Sequence, residues 1–180
     1  MRFSPVSAVC LSLMLPLPAL AAGTETEAPP KPSPTTQECE EGLIWDADLG
    51  ECTAPKDTRL NDKTRMLAVR ELAYAGRAAE ARSVLDSLQD QGSDLALTYR
   101  GFVARTLGQT AEAELWYQRA LAANPNNLLA RSYMGQGYVE QGEIQLARLQ
   151  LTQIRTRGGR GSWAEISLRM AIERGRGFSY

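Results

Sequence analysis

Acidic side chains supply the nearest candidates for acid–base chemistry in this sequence. Glu112 lies near Glu114, and Glu140 lies near Glu143, at spacings that bring two carboxyls onto one stretch of chain. Paired carboxyls can act as general acid and base when their pKa values are pushed apart. Each of these pairs is more simply explained as charge in the first turn of a helix or on a solvated surface. The pairs therefore do not by themselves predict an enzyme.

The 180-residue chain contains no histidine. This excludes the commonest general base near neutral pH, the Ser-His-Asp and Cys-His nucleophile arrangements and every His-ligated metal site. We therefore expect a non-catalytic protein with no cofactor and no metal.

The N-terminal residues are typical of an export signal. Arg2 precedes an apolar run that ends in Ala19-Leu20-Ala21, an A-x-A-type cleavage site. The sequence predicts a signal peptide over 1–21, cleavage between Ala21 and Ala22, and a periplasmic mature chain. The apolar run is interrupted by prolines and is too short for the ~20 residues of a membrane span, so no transmembrane segment is expected in the mature chain.

Removal of the signal leaves two cysteines, Cys39 and Cys52. In an oxidising compartment an even pair favours a disulfide, because two thiolates without histidine cannot complete a tetrahedral zinc shell. The spacing C-x-x-G-x-x-W-D-x5-C resembles one corner of the peritrophin-type chitin-binding modules, which carry more cysteines. Two interpretations of Trp45 in this 39–52 loop stay open, since its ring could stack on a sugar or pack on the following domain.

The composition and charge of the N-terminal part of the mature chain differ from those of the rest. Residues 22–38, which begin at Ala22, are rich in Pro, Thr and Glu and have little to bury, so a disordered tether is predicted. From Gly23 to Asp57 nine acids face two lysines, whereas bases exceed acids after Asp57. The predicted export and the formal net charge of −1 argue against a nucleic-acid partner.

A recurring pattern sets the architecture of residues 58–180. Gly76, Ala81 and Leu85 recur as Gly108, Ala113 and Tyr117, and again as Gly142, Ala147 and Leu151. The glycine spacings, 32 and 34 residues, are those of a helical-hairpin array. The pattern predicts helix pairs at 58–75 with 78–90, 94–107 with 110–123, and 128–141 with 143–157.

The middle unit, with "AEAELWYQRALAANP", resembles the tetratricopeptide repeat (TPR). Residues 94–174 are similar to small exported TPR proteins of Gram-negative bacteria. The resemblance implies an all-α superhelical array of about three repeats. The segment "SWAEISLRMAIERG", which opens with Ser162 and Glu165 at capping-box spacing, is predicted to form a C-terminal capping helix.

A TPR array carries a concave groove, and mapping the repeat onto this chain gives its lining. The residues placed there are Met66, Arg70, Tyr99, Phe102, Arg105, Ser132, Gln136 and Val139. Aromatic and aliphatic side chains with arginines suit an extended peptide or a partner helix. The leading hypothesis is a periplasmic scaffold that binds a protein or peptide segment, and the alternative is an envelope-associated carbohydrate-binding protein that uses Trp45.

Overall fold

The computed structural model of the chain describes residues 39–177, which form a β-hairpin followed by seven α-helices. The strands are Ile44–Asp46 (β1) and Glu51–Thr53 (β2). The helices are Asp62–Tyr74 (α1), Ala78–Leu85 (α2), Asp94–Thr106 (α3), Thr110–Ala123 (α4), Leu128–Glu140 (α5), Ile144–Thr156 (α6) and Trp163–Arg174 (α7). The predicted signal peptide and tether lie outside the described residues.

Six of the helices form three hairpins. Helix α1 packs on α2, α3 on α4, and α5 on α6. The first helices α1, α3 and α5 also contact one another in order, so they form one layer. Helix α7 continues this layer by packing on α5 and α6, as a fourth first helix would. The predicted all-α array with a C-terminal capping helix is confirmed.

Glycine ends the first helix of every hairpin. Gly76, Gly108 and Gly142 have φ angles of 76°, 76° and 79°. This left-handed conformation favours glycine because it has no Cβ, and it reverses the chain within one turn. The period found in the sequence therefore corresponds to three equivalent turns.

The first hairpin is shorter than the sequence predicted. Helix α1 begins at Asp62, where the Asn61 side chain accepts a hydrogen bond from the Thr64 amide, rather than at residue 58. Helix α2 ends at Leu85 rather than residue 90, because Ser87 and Leu88 bond to carbonyls three residues back and so tighten the chain into turns.

The disulfide hairpin closes the N-terminal end of the array. Cys39 and Cys52 are bonded, with a Cα–Cα distance of 5.6 Å, so the predicted pairing is confirmed. Ile44 of β1 is only 1% exposed and belongs to the same hydrophobic core as the helices. The Gly42 amide donates to Glu80 Oε2 of α2 at 3.1 Å. The hairpin thus covers apolar surface that a preceding repeat would otherwise bury.

Candidate functional site

The predicted groove residues all lie on the layer of first helices. Met66 and Arg70 belong to α1. Helix α3 carries Tyr99, Phe102 and Arg105, and helix α5 carries Ser132, Gln136 and Val139. The three helices differ in how much of this surface they leave accessible.

The groove residues of α5 lie beneath the capping helix. Ser132 and Gln136 are both 0% exposed. The hydroxyls of Ser132 and Ser167 are 3.0 Å apart, and the Gln136 amide donates to both at 3.3 and 3.4 Å. Val139 is buried as well. In this structure these side chains hold α7 on α5 and present little surface to a partner.

Aromatic rings fill the centre of the layer. Phe102 lies 4.8 Å from Tyr133 and 5.5 Å from Tyr74 between ring centroids, both edge-on. The Tyr74 and Tyr133 hydroxyls are hydrogen-bonded to each other. Because these rings come from α1, α3 and α5, their packing joins all three hairpins, and Phe102 itself is buried.

Arg105 covers this aromatic cluster and is itself paired. Its guanidinium lies over the Phe102 ring, 5.2 Å from the centroid, and forms an ion pair with Glu140 of α5. The Arg105 side chain is only 9% exposed. The pair closes the surface between α3 and α5 at the C-terminal ends of these helices.

An open apolar pocket remains between α1 and α3. Its volume is about 380 Å³. The lining residues are Asp62, Lys63, Met66, Leu67, Arg70, Leu95 and Tyr99. Leu67 is 48% exposed and lies beside other apolar lining residues, and contiguous exposed apolar surface of this kind is typical of binding sites. The pocket brings together three of the predicted groove residues, Met66, Arg70 and Tyr99.

The Asp62 carboxylate, at the edge of the pocket, already accepts hydrogen bonds from the chain itself. Asp62 accepts hydrogen bonds from the amides of Gln89 and Asp90 at 3.0 and 2.8 Å. Burial opposes ionisation of Asp62, but these bonds and the Arg65 guanidinium lower its pKa overall. The rim thus carries the Asp62 carboxylate, which is engaged by these donors, and the two cationic side chains of Lys63 and Arg70.

Sequence reasoning missed Lys63, Leu67 and Leu95. Leu95 and Lys63 occupy the second positions of α3 and α1, so the repeat period carried a signal for this pair. The exposure of Leu67 carried no such signal, since it depends on which neighbours lie across the layer.

Trp45 lies in β1, opposite Cys52 in the antiparallel register. Its side chain is half-buried. A separate cavity of about 240 Å³ lies between the disulfide hairpin and α1 and α2, with Leu43, Ile44 and Leu72 in its lining. Trp45 does not line this cavity, so its ring could not contact a ligand bound there.

The acidic pairs considered for catalysis take part in separate structural contacts. Glu112 accepts from the Trp116 indole at 3.1 Å, and Glu114 accepts from the Tyr138 hydroxyl at 3.1 Å. Burial and the neighbouring Glu114 carboxylate raise the pKa of Tyr138 to about 12, so this hydroxyl stays protonated as a donor. Glu140 is the ion-pair partner of Arg105.

Among residues 39–177 no group of three or more His, Cys, Asp or Glu side chains is placed to hold a metal ion. None of the helices in this part of the chain has the length and apolar character needed to cross a membrane.

Residues 94–127 match the family model of the tetratricopeptide repeat. These residues comprise α3, the glycine turn, α4 and the loop before α5, which is one full structural unit of the array. The chain therefore contains a TPR unit at these residues. No curated protein and no solved structure matches the sequence. The repeat is typical of protein-interaction scaffolds.

Arginines occupy equivalent positions in the first and third helical hairpins. Arg65 is 3% exposed and donates to the carbonyls of Pro55, Asp57 and Leu60 at 2.8 to 2.9 Å. Arg131 donates to the Pro125 carbonyl at 2.8 Å. In both units the guanidinium fixes the loop that precedes the helix.

Proposed function

We propose that the chain is a non-catalytic periplasmic scaffold that binds a protein or peptide segment in the groove between α1 and α3. The single observation that carries this proposal is the pocket formed by Met66, Leu67, Leu95 and Tyr99. It is accessible, predominantly apolar and located on the layer that TPR arrays use for recognition. A partner side chain that fills it would bury apolar surface worth roughly 25 cal/mol per Å².

The charge of the rim restricts the partner further. Lys63 and Arg70 are cationic, whereas the Asp62 carboxylate is already bonded to the amides of Gln89 and Asp90 and ion-paired with Arg65. An apolar side chain followed or preceded by a carboxylate or by carbonyl oxygens therefore fits this surface best.

Leu67 provides a sharper test of binding than Phe102. Phe102 is buried among other rings, so its removal would change stability, whereas Leu67 is exposed and tolerates substitution without loss of core packing. Leu149 of α6 is 52% exposed and lies outside the pocket, which makes it a matched control.

The experiment is an affinity capture from a periplasmic extract with mature chain beginning at Ala22, followed by titration of the captured partner. We expect Leu67→Glu to weaken binding at least tenfold and Leu149→Glu to leave it unchanged, with circular dichroism confirming both folds. Equal affinities for the two variants would reject the pocket as the binding site.

The same titration separates the scaffold from a carbohydrate-binding protein that uses Trp45. In the scaffold interpretation Trp45→Ala does not change binding of the captured partner. Retention of the wild-type chain on peptidoglycan or chitin that Trp45→Ala abolishes would assign the function to the disulfide hairpin. Export is tested independently, by an intact mass of the secreted chain that begins at Ala22.

A further inference from the structure

The cavity between the disulfide hairpin and the first two helices shares no lining residue with the pocket between α1 and α3. Its volume is about 240 Å³. Its floor is apolar and buried, because Ile44, Leu72 and Val84 are each 1% exposed and belong to the hydrophobic core. An aliphatic cavity of about 150 Å³ takes up benzene, so this cavity has room for one aromatic ring with a short chain.

The charged side chains in the lining of this cavity are both acidic, Glu41 of the hairpin and Glu80 of α2. Arg77 Nε donates to Glu80 Oε1 at 2.6 Å, and the Gly42 amide donates to Glu80 Oε2. The Arg77 guanidinium and this amide lower the pKa of Glu80, so its carboxylate is ionised at neutral pH. Arg77 also attracts Glu41. Two carboxylates therefore share one guanidinium, which leaves a net negative charge at the cavity.

The exposed residues of the lining form its mouth. Glu41 of the hairpin and Ala79 and Ser83 of α2 are exposed, in contrast to the buried floor. An ammonium group at this mouth keeps its contact with water and lies beside the Glu41 carboxylate, whereas an attached apolar body reaches the floor. This orientation buries apolar surface without the cost of burying a charge.

We propose that this cavity binds a small organic amine, with an apolar body about the size of an aromatic ring on the floor and the ammonium group beside Glu41. The site is independent of the proposed scaffold function, because none of the predicted groove residues lines the cavity.

The disulfide is part of this site. One wall of the cavity consists of Glu41, Gly42, Leu43 and Ile44, which all lie in the loop that Cys39–Cys52 closes. Reduction releases the ends of this loop, so the wall loses its fixed position and amine binding weakens. Because coupling between two equilibria is reciprocal, a bound amine also protects the disulfide from reduction.

The test titrates the isotope-labelled mature chain with phenethylamine and follows the amide resonances of Gly42 and Leu43 by NMR through the millimolar range. We expect saturable shifts of these resonances. Phenethyl alcohol, the neutral molecule of the same size, should bind about fivefold more weakly, as expected for loss of one ion pair in water. Phenylacetate, which carries the opposite charge, should bind at least tenfold more weakly than the amine.

Matched variants identify the cavity and the carboxylate. Ala79→Leu fills the mouth and should abolish binding, whereas Ala111→Leu, at the equivalent exposed second position of α4, should preserve it. Glu41→Gln should lower the affinity for the amine about fivefold and leave that for the alcohol unchanged. Glu40→Gln removes the neighbouring charge, which does not line the cavity, and should have a smaller effect.

The double variant Cys39→Ser and Cys52→Ser tests the role of the disulfide. It should bind phenethylamine at least tenfold more weakly than wild type, with circular dichroism confirming its helices. In the wild type, saturating phenethylamine should slow reduction by dithiothreitol, measured by alkylation of the released thiols. Wild-type affinity in the double variant would overturn the dependence on the disulfide, and the Ala79→Leu comparison tests the cavity whether or not the double variant folds.

Three results would overturn the amine site. The first is the absence of saturable binding to the wild-type chain, or equal binding by Ala79→Leu. The second is an affinity for phenylacetate that equals the affinity for the amine. The third is displacement of phenethylamine by a synthetic 22–38 peptide at lower concentration, which would make Lys31 of the preceding segment the occupant. All three are measured without a protein partner, so they are distinct from the affinity capture that tests the scaffold function.

Discussion

Gly101 of α3 faces the ring of Tyr117 of α4 so closely that a methyl group on its Cα would lie 2.4 Å from Cε1 of the ring. Tyr117 is 2% exposed and packs in the hydrophobic core, so its ring can move only if its neighbours shift. The middle hairpin therefore depends on a bare backbone at this point of closest approach.

Gly101→Ala should destabilise the chain for this reason. In an unstrained helix the change would stabilise the fold by about 0.5–1 kcal/mol, but overlap with the ring should produce a net loss of about 1–3 kcal/mol. Gly137→Ala is the control, because its new methyl would meet side-chain atoms no closer than Arg105 Cδ at 3.3 Å and Gln141 Nε2 at 3.9 Å. Urea unfolding should give a lower midpoint for the first variant and no loss for the second.

Ala113→Leu should overpack the same hairpin. Ala113 is 3% exposed between α3 and α4, and the larger side chain should cost about 1–3 kcal/mol. Ala111 is exposed on the same helix, so Ala111→Leu should change stability by less than about 0.5 kcal/mol. Equal unfolding midpoints would show that the helix register is different.

Reduction of the Cys39–Cys52 disulfide should lower the free energy of unfolding by about 3 kcal/mol on the loop-entropy model. Loosening of the β-hairpin should also expose the core of the first helical hairpin, because Ile44 packs in that core. Unfolding in urea with and without a thiol reductant measures the effect. The Cys39→Ser and Cys52→Ser double variant should not respond to the reductant, and an intact mass two hydrogens below that of the reduced chain verifies the bond.

Arg65→Lys should destabilise the chain although it conserves charge. The Arg65 guanidinium donates to three backbone carbonyls, and an ammonium group cannot reproduce this planar arrangement. We expect a loss of about 2–4 kcal/mol because buried carbonyls lose their donors. Arg169→Lys, on the exposed face of α7, should have almost no effect. Similar thermal midpoints for the two variants would contradict this role of Arg65.

Glu165 should make the stability of the capping helix depend on pH. The Gly161 amide and the Arg155 guanidinium lower the pKa of its carboxyl in the folded chain. Ionised Glu165 therefore stabilises the fold above its unfolded pKa of about 4.3, and this contribution is lost as the pH falls through the lower folded value. The stability difference between wild type and Glu165→Gln should shrink as the pH is lowered from neutral, whereas a constant difference would reject the linkage.

Local signals predicted most of the fold correctly. The positions of Gly76, Gly108 and Gly142 marked the turns, and Ser162 accepts the capping bond that its spacing to Glu165 indicated. These features depend on residues a few positions apart, so the sequence carries them directly. The first helical hairpin was predicted less well, because the loop before α1 is held by Arg65, whose contacts lie up to ten residues away in the chain.

The sequence by itself determined the repeat period, the helix caps and the pairing of the two cysteines in the described chain. Only the tertiary structure decided which groove residues are accessible. Ser132 and Gln136 are buried because Ser167, more than thirty residues away, lies against them, whereas within residues 39–177 no helix covers Met66 and Leu67 in the same way. Accessibility depends on which distant helices pack together, and that is a property of the whole array rather than of any short stretch of chain.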